Sequence, residues 1–472
     1  MALRLAQACL LHGGVCILLP SACGNQASIC IVQSGVDALH FHHVPENWMQ
    51  TSGNKGQRMI TTLLTWLLKR SPRAFIFTSG HPRCIDGEIP GLGLYLHIPF
   101  CRSLCRFCPY FKERFDPAAV EPFVAALKQE IRAAGELAHH SSVSSVYYGG
   151  GTPYLLGKHL QEIQDQIERS FAVEGPCGIE LHPEDIDFDT SSKLRDAGFT
   201  MVSIGAQSFQ ANCLRVLGRT QGDVSSRIAM MKDAAMSVID VDLIFGLPGQ
   251  TAEDIQQDFR VAVASGATQI STYPFIDFTY ANNPQRPLGR RRKKNLLKAV
   301  LEVSADLGFH RTSVWTFARK DSRRYSSVTR DNYIGFGPSA ASLLPSGFSM
   351  NVFSVGEYIH AVEEGRSPTA LEVDFTERER ALFWLFWSIY NLHVSKADYF
   401  TLFGKPLDEM FGWELRLAAG MGLVKRRNDA YVVTARGAYL FHLVEQGYTD
   451  QYIDKVWGFA RSTPWPEKLV IR

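Results

Sequence analysis

From Leu92 onward, short apolar runs alternate with longer stretches in which apolar positions recur every three or four residues. The short runs, bounded by glycine, proline and small polar residues, read as buried β-strands; the longer stretches read as amphipathic helices. Six strands are predicted: Leu92–Ile98, Ser145–Tyr148, Gly178–Leu181, Met201–Ile204, Val238–Ile244 and Gln269–Tyr273. The helices between them are Pro117–Ala138, Gly157–Phe171, Asp189–Ala197, Asp223–Ala235 and Ala252–Ser265. The first is marked by Pro117 near its start and by the stripe Val120, Phe123, Val124, Leu127 and Ile131. Repeated βα units predict an α/β fold, a partial (βα)6 TIM-like barrel with its chemistry at the C-terminal ends of the strands.

The pattern changes near Phe375. Arg378–Leu392 is an apolar, Trp-containing helix, and Met421–Val433 reads as strand–turn–strand with Arg426-Arg-Asn-Asp429 at the tip, so a small helical, winged-helix-like cap is predicted. The expected division is an N-terminal extension of unassigned role (1–90), a core domain (91–345) and a C-terminal cap domain (346–472). The extension carries one amphipathic helix, Gly56–Lys69. Leu10–Leu19 followed by Pro20-Ser-Ala-Cys23 has the outline of an export signal, but His12, Gly13 and Gly14 interrupt it. No apolar stretch reaches the ~18 residues that a membrane span requires. Cys9, Cys16, Cys23 and Cys30 recur every seven residues, yet Gly13, Gly14 and Pro20 break any helix that would align them. His40, His42 and His43 are read as a surface feature.

Bulk composition narrows the partners. With 472 residues, 46% hydrophobic, the chain has room for two or three domains. Forty-nine basic against 47 acidic residues give a net charge of +2, which makes no electrostatic case for nucleic acid or an anionic membrane surface. Ten cysteines are too sparse for a disulfide scaffold.

The candidate chemistry begins at Cys101, Cys105 and Cys108, a C-x3-C-x2-C run directly after the first strand. Structural zinc would need a fourth N/S ligand, and neither a second cysteine pair nor a nearby histidine supplies it. Three thiolates on one loop can hold three irons of a [4Fe–4S] cluster, leaving the fourth iron to a chelating amine and carboxylate such as those of S-adenosylmethionine (SAM). Straight after the second strand, Tyr147-Tyr-Gly-Gly-Gly-Thr-Pro153 offers backbone amides and the Thr152 hydroxyl to a carboxylate or amine.

These two motifs resemble the radical SAM superfamily. Further motifs narrow the resemblance, over about residues 92–450, to the group containing oxygen-independent coproporphyrinogen III dehydrogenase and its relatives. They are Tyr95-x-His-Ile-Pro-Phe-Cys101, Gly149-Gly-Gly-Thr-Pro153, Ile179-Glu-x-x-Pro183, Gly205-Ala-Gln-Ser-Phe209, Gly218-Arg219, Asp240-Val-Asp-Leu-Ile-Phe-Gly-Leu-Pro-Gly-Gln250 and Gly335-Phe-Gly-Pro-Ser-Ala340. The resemblance implies a radical SAM oxidoreductase holding a [4Fe–4S] cluster on Cys101, Cys105 and Cys108. It also implies that Tyr95, Phe107, Gly150, Gly151, Thr152, Glu180, Gln207, Arg219 and Asp242 contact one or two SAM molecules, with Glu180, Arg219 and Asp242 as catalytic residues. Ile276 and Ala341 align near the same pocket and are read as packing.

The departure from the group is Tyr110, which stands where coproporphyrinogen dehydrogenases carry one more cysteine. Relatives without that cysteine include a heme chaperone and heme-degrading radical SAM methyltransferases, so both remain as alternatives. The resemblance implies a tetrapyrrole substrate, a flavodoxin- or ferredoxin-type electron donor and, for an oxygen-sensitive cluster, a cytoplasmic location. Arg311–Arg330, where Arg319, Lys320, Arg323, Arg324 and Arg330 interleave with Trp315, Phe317 and Tyr325, reads either as a seat for a planar carboxylated ring or as a solvated loop. Gly289-Arg-Arg-Arg-Lys-Lys294 is read as a solvated helix start.

Overall fold

Leu92–Ile98 (β1) is buried along almost its whole length, the signature of a strand covered on both faces. Five more strands follow in the computed structural model: Ser142–Gly150 (β2), Cys177–Leu181 (β3), Phe199–Gln207 (β4), Val238–Phe245 (β5) and Gln269–Pro274 (β6). They lie side by side in chain order and all neighbours are parallel. The structure describes Arg70 and residues 74–80, 89–138, 141–220, 222–281, 283–322 and 331–471, which all fall in the compact unit Ser52–Arg472. Gly56–Lys69, the histidines at 40–43 and the cysteines of the extension lie outside the described residues.

The crossovers are helical, as expected for parallel neighbours: Pro117–Ala138 (α1), His159–Ser170 (α2), Phe188–Asp196 (α3), Val224–Asp233 (α4) and Ala252–Ser265 (α5). In α1 the stripe Val120, Phe123, Val124, Leu127 and Ile131 is buried. Helix α5 begins with a capping box, in which Thr251 accepts from the Asp254 amide and Asp254 accepts from the Thr251 amide, and ends at Gly266 in the left-handed region. The predicted α/β architecture is present, and the sheet path stays open at both ends.

Sequence reading missed how far the sheet extends. Asn332–Phe336 (β7) adds a parallel strand on the free side of β1. Antiparallel strands Ala341–Leu344, Gly347–Asn351 and Thr369–Asp374 continue from it, followed by Phe75–Ser79 and Lys468–Ile471. These strands are short, and apart from the Leu344–Gly347 turn and the brief link from Phe336 to Ala341 they come from distant parts of the chain, so no local period announces their pairing.

Toward the C-terminus, Glu377–Tyr390 (α6) opens with a second capping box, Thr376 with Glu379. Together with helices Lys396–Phe403 and Leu407–Gly420 and the three-stranded sheet of His393–Ser395, Ala430–Val433 and Val424–Arg426, it forms the winged-helix-like arrangement expected from the sequence. This part has its own core of Trp384, Leu385, Val394, Tyr399, Phe411, Leu415 and Tyr431. Ala435–Tyr448 (α7) and Asp454–Ser462 (α8) follow; Ala211–Leu217, Arg290–Asp306 and Val355–Glu363 are further helices of the described residues. Among the described residues, no helix is long and apolar enough to cross a membrane.

Candidate active site

Immediately after β1 and Pro99, Phe100–Cys101 pairs with Glu113–Arg114, closing the cysteine loop on itself. Side chains then pin it from several directions. His97 Nε2 lies 2.9 Å from the Phe111 carbonyl, and Arg102 donates to Asp185 Oδ1 from Nε (3.0 Å) and Nη2 (2.7 Å). Lys112 Nζ donates to the Cys108 carbonyl at 2.9 Å, while the Pro109 carbonyl accepts from Tyr280 (3.2 Å) and from Arg461 of α8. The loop that follows the first strand is thereby fastened to the C-terminal helices.

Cys101, Cys105 and Cys108 are all free thiols. Burial pushes the Cys101 thiol up to about 11 and raises that of Cys108 as well, so their thiolates call for a positive centre nearby. Among the described residues, no three His, Cys, Asp or Glu side chains converge tightly enough to ligate a single metal ion. Three free thiols spread around one pinned loop fit a cluster in which each sulfur takes a different iron.

The glycine-rich turn has a different role from the one expected of its amides. Gly150 N–H donates to Glu180 Oε2 (3.0 Å), Gly151 N–H to the Ile98 carbonyl (2.7 Å) and Thr152 N–H to the Phe100 carbonyl (2.8 Å). These donors are committed within the protein and lock the turn onto the backbone just before Cys101. Glycine is required sterically: a Cβ on Gly151 would stand 2.5 Å from the Phe100 carbonyl oxygen, and Gly150 has φ +109° against the His97 ring. The Thr152 hydroxyl faces Cys101 Sγ at 3.8 Å.

A cavity of about 640 Å³ opens over the strand ends, within the roughly 300–1,000 Å³ typical of small-molecule sites. The three cysteines, Phe107, Gly150, Gly151, Thr152, Glu180, Gln207, Arg219 and Asp242 all line it, as does Ile276. Tyr95 is not among the lining residues: its hydroxyl is 3.0 Å from His97 Nδ1 and its ring stacks on Tyr147. Ala341 is not among them either, whereas Ile276, read from the sequence as packing, is one of the lining residues.

The cavity floor is acidic. Glu180 accepts from Tyr147 (2.9 Å) and the Gly150 amide, and burial lifts its carboxyl to about 7. Asp242 accepts from Ser203 at 2.8 Å; burial, then repulsion from Asp240 and Glu180, raises it well above the usual carboxylate range. Arg219 spends Nη1 on the Gly205 carbonyl (2.6 Å), sits 5.5 Å over the Phe107 ring, and keeps a buried Nε–H without a partner among the described residues. Gln207, which also lines the cavity, has φ +67°, a strained conformation of the kind that clusters at ligand sites. Carboxylates for an amine or ribose and a guanidinium donor for a carboxylate match what SAM presents.

Residues 95–262 match the family model described as the Radical SAM superfamily. This chain carries a radical SAM domain. The superfamily implies a [4Fe–4S] cluster and SAM. The chain is 26% identical over 365 residues to the heme chaperone HemW of Bacillus subtilis, covering 73% of this chain and 96% of that protein. It is 27% identical over 404 residues to oxygen-independent coproporphyrinogen III oxidase of Pseudomonas aeruginosa, covering 77% and 84% respectively. Among solved structures, coproporphyrinogen III oxidase from Escherichia coli, itself a radical SAM enzyme, matches with a TM-score of 0.68 and 22% identity over 80% of this chain and 95% of that one. That likeness establishes the shared fold.

Several residues of the radical SAM domain's cavity escaped sequence reading. Asp240, Gln269, Ser271 and Tyr273 line it, and their signal was polar residues at alternate positions inside otherwise apolar strands. Phe383, Phe386, Trp387 and Tyr390 of α6, Tyr448 of α7 and Trp457 of α8 form the opposite wall, and Tyr110 meets Trp457 at 5.9 Å. Of the basic–aromatic segment, Trp315 lines the cavity, whereas Arg311 turns to the Val314 carbonyl and Arg319 lies over Phe309. Arg323, Arg324, Tyr325 and Arg330 lie outside the described residues.

Proposed function

We propose that this chain is a radical SAM enzyme acting on a planar ring of the tetrapyrrole class, seated between the strand ends and the aromatic helices of the C-terminal part. One observation carries this reading: the three cysteines open onto the same cavity as Glu180, Gln207, Arg219 and Asp242, and aromatic side chains of α6, α7 and α8 wall its other side. Cys101, Cys105 and Cys108 would hold the [4Fe–4S] cluster, which with SAM supplies one-electron cleavage to methionine and a 5′-deoxyadenosyl radical.

The protein's own groups do the rest. Glu180 receives the amine or ribose hydroxyls of SAM, Arg219 pairs with a carboxylate, and Asp242 with Gln207 holds either the same molecule or a second SAM beside it. The aromatic wall keeps water from the reacting centre. An oxygen-sensitive cluster fits a cytoplasmic setting with a flavodoxin- or ferredoxin-type donor. The tetrapyrrole class is supported by the names of the relatives, which concern heme and coproporphyrinogen.

A second reading, a heme chaperone, is favoured by the match to HemW over 96% of that protein's length. Anaerobic reconstitution with iron, sulfide, SAM and dithionite, with and without coproporphyrinogen III or heme, decides between them. The enzyme reading expects 5′-deoxyadenosine, with loss of propionate carboxyls for an oxidase or S-adenosylhomocysteine for a methyltransferase. Tight heme uptake with no 5′-deoxyadenosine would replace it with the chaperone.

A further inference from the structure

The cavity floor contains a carboxylate oxygen, Asp240 Oδ1, that has no hydrogen-bond partner among the described residues. Glu180, Ser203, Asp240 and Gln269 stand opposite one another across β3, β4, β5 and β6, forming one polar row; Asp242 and Ser271 form the next row toward the strand ends. Side chains two apart on a strand share a face, and Asp240 and Asp242 on β5, with Gln269, Ser271 and Tyr273 on β6, all line the cavity. Asp240 is 2% exposed. Its Oδ2 accepts from Gln269 Nε2 (3.0 Å) and Ser271 Oγ (2.8 Å), while Oδ1 has no partner among the described residues.

A buried carboxylate oxygen without a donor is unfavourable, and Asp242 two residues away adds like charge. A neutral N–H relieves the first, and a cationic one relieves both. Trp315, which lines the same cavity, packs edge-to-face on Tyr273 (6.1 Å) and on Tyr390 (5.9 Å), so aromatic rings stand beside the polar row for a flat ring to pack against.

We propose that Asp240 is a substrate-positioning residue whose Oδ1 accepts a hydrogen bond from a nitrogen of the ring, so that the substrate turns an N–H or ammonium group, and not a carboxylate, toward the barrel floor. This rests on reading the cavity as the substrate site. It assigns the ring's orientation: carboxylates, where the substrate has them, point away from β5 and β6.

Three tricyclic probes of similar shape test it on the anaerobically reconstituted full chain with SAM bound: proflavine (cationic amine), carbazole (neutral N–H) and 9-anthracenecarboxylate (anion), each followed by fluorescence titration. Wild type should bind proflavine or carbazole at least tenfold more tightly than the carboxylate; which of the two leads tells a charged nitrogen from a neutral one. In Asp240→Asn and Asp240→Ser the preference should fall at least fivefold, with SAM affinity in the same samples within threefold of wild type. Equal or tighter binding of 9-anthracenecarboxylate by wild type overturns the proposal without reference to any variant. So does an unchanged preference in both variants, or a parallel loss of SAM affinity, which would move Asp240 into the SAM seat. Failure of the enzyme reading itself is separate, since it appears as absence of 5′-deoxyadenosine from wild type.

Discussion

Trp315 Nε1 donates to His442 Nδ1 at 2.8 Å, with both side chains buried. The bond ties the segment just before the short strand Thr316–Arg319 to α7, and the indole it orients is part of the cavity wall. His442 in turn meets Gln446 through Nε2 at 3.0 Å, and Gln446 accepts from Lys293. Replacing His442 with alanine strands a buried indole N–H and opens space beside it. We expect a loss of about 1–3 kcal/mol in unfolding free energy, read by urea denaturation at pH 7. A loss below a few tenths would show that the bond is immaterial to stability.

Acid should weaken the fold through the same residue. Burial, followed by the charges of Lys293 and Arg311, lowers the His442 pKa from 6.5 to about 3, and burial lowers that of His97 to about 4. Each stays neutral when folded and takes up a proton when unfolded. Their contribution is therefore complete above pH 6.5 and is lost as the pH falls toward 3–4, at about 1.4 kcal/mol per pH unit for each histidine. Denaturation curves at pH 7, 6 and 5 should show this slope, reduced by one proton's worth in His442→Gln.

Glu180 behaves in the opposite sense. Its folded carboxyl is raised from 4.5 to about 7, so it costs stability as the pH rises from 4.5 through 7 in the absence of ligand. A bound cation stabilises its carboxylate, so SAM binding between pH 6 and 7 should release up to one proton, with the release fading well above pH 8. Titration calorimetry in buffers of different ionisation enthalpy measures this. Glu180→Gln should reduce the proton release, leaving only what Asp242 contributes, and weaken SAM binding at least tenfold; proton uptake in wild type would contradict the assignment.

For the cluster, single Cys101→Ala, Cys105→Ala and Cys108→Ala proteins should each lose the brown absorbance and most of the roughly four irons per chain expected of a reconstituted cubane. Iron content and the visible spectrum are the readouts. Full iron retention in all three variants would remove the basis for the site.

Gly151→Ala tests the lock between the glycine turn and the cysteine loop. Its Cβ would meet the Phe100 carbonyl at 2.5 Å and the Ile98 carbonyl at 2.9 Å, both backbone atoms that cannot swing away. A cost of about 1–3 kcal/mol is expected from overpacking, together with at least a twofold fall in iron incorporation as the segment before Cys101 shifts. Unchanged melting and iron content would mean the turn is looser than its hydrogen bonds imply.

Local pattern was enough to determine the six parallel strands, their helical crossovers and the cysteine loop. Continuous apolar runs, the helical stripe of α1 and the spacing of Cys101, Cys105 and Cys108 each act within a few residues of chain. Glu180, Gln207, Arg219 and Asp242 could be named because their motifs resemble those of a known family; Glu180, Gln207 and Asp242 also fall toward strand ends, where an α/β barrel collects its ligands, and Arg219 just past a short helix. Only the tertiary structure decided that the glycine-turn amides are spent within the protein, that Tyr95 faces His97 rather than the cavity, and that α6, α7 and α8 supply an aromatic wall. It alone brought Asp240 and Gln269 into one row, and left one oxygen of Asp240 without a donor among the described residues. These outcomes depend on strand register and on contacts between residues far apart in sequence, such as Trp315 with His442, and neither is written in the periodicity of any one segment.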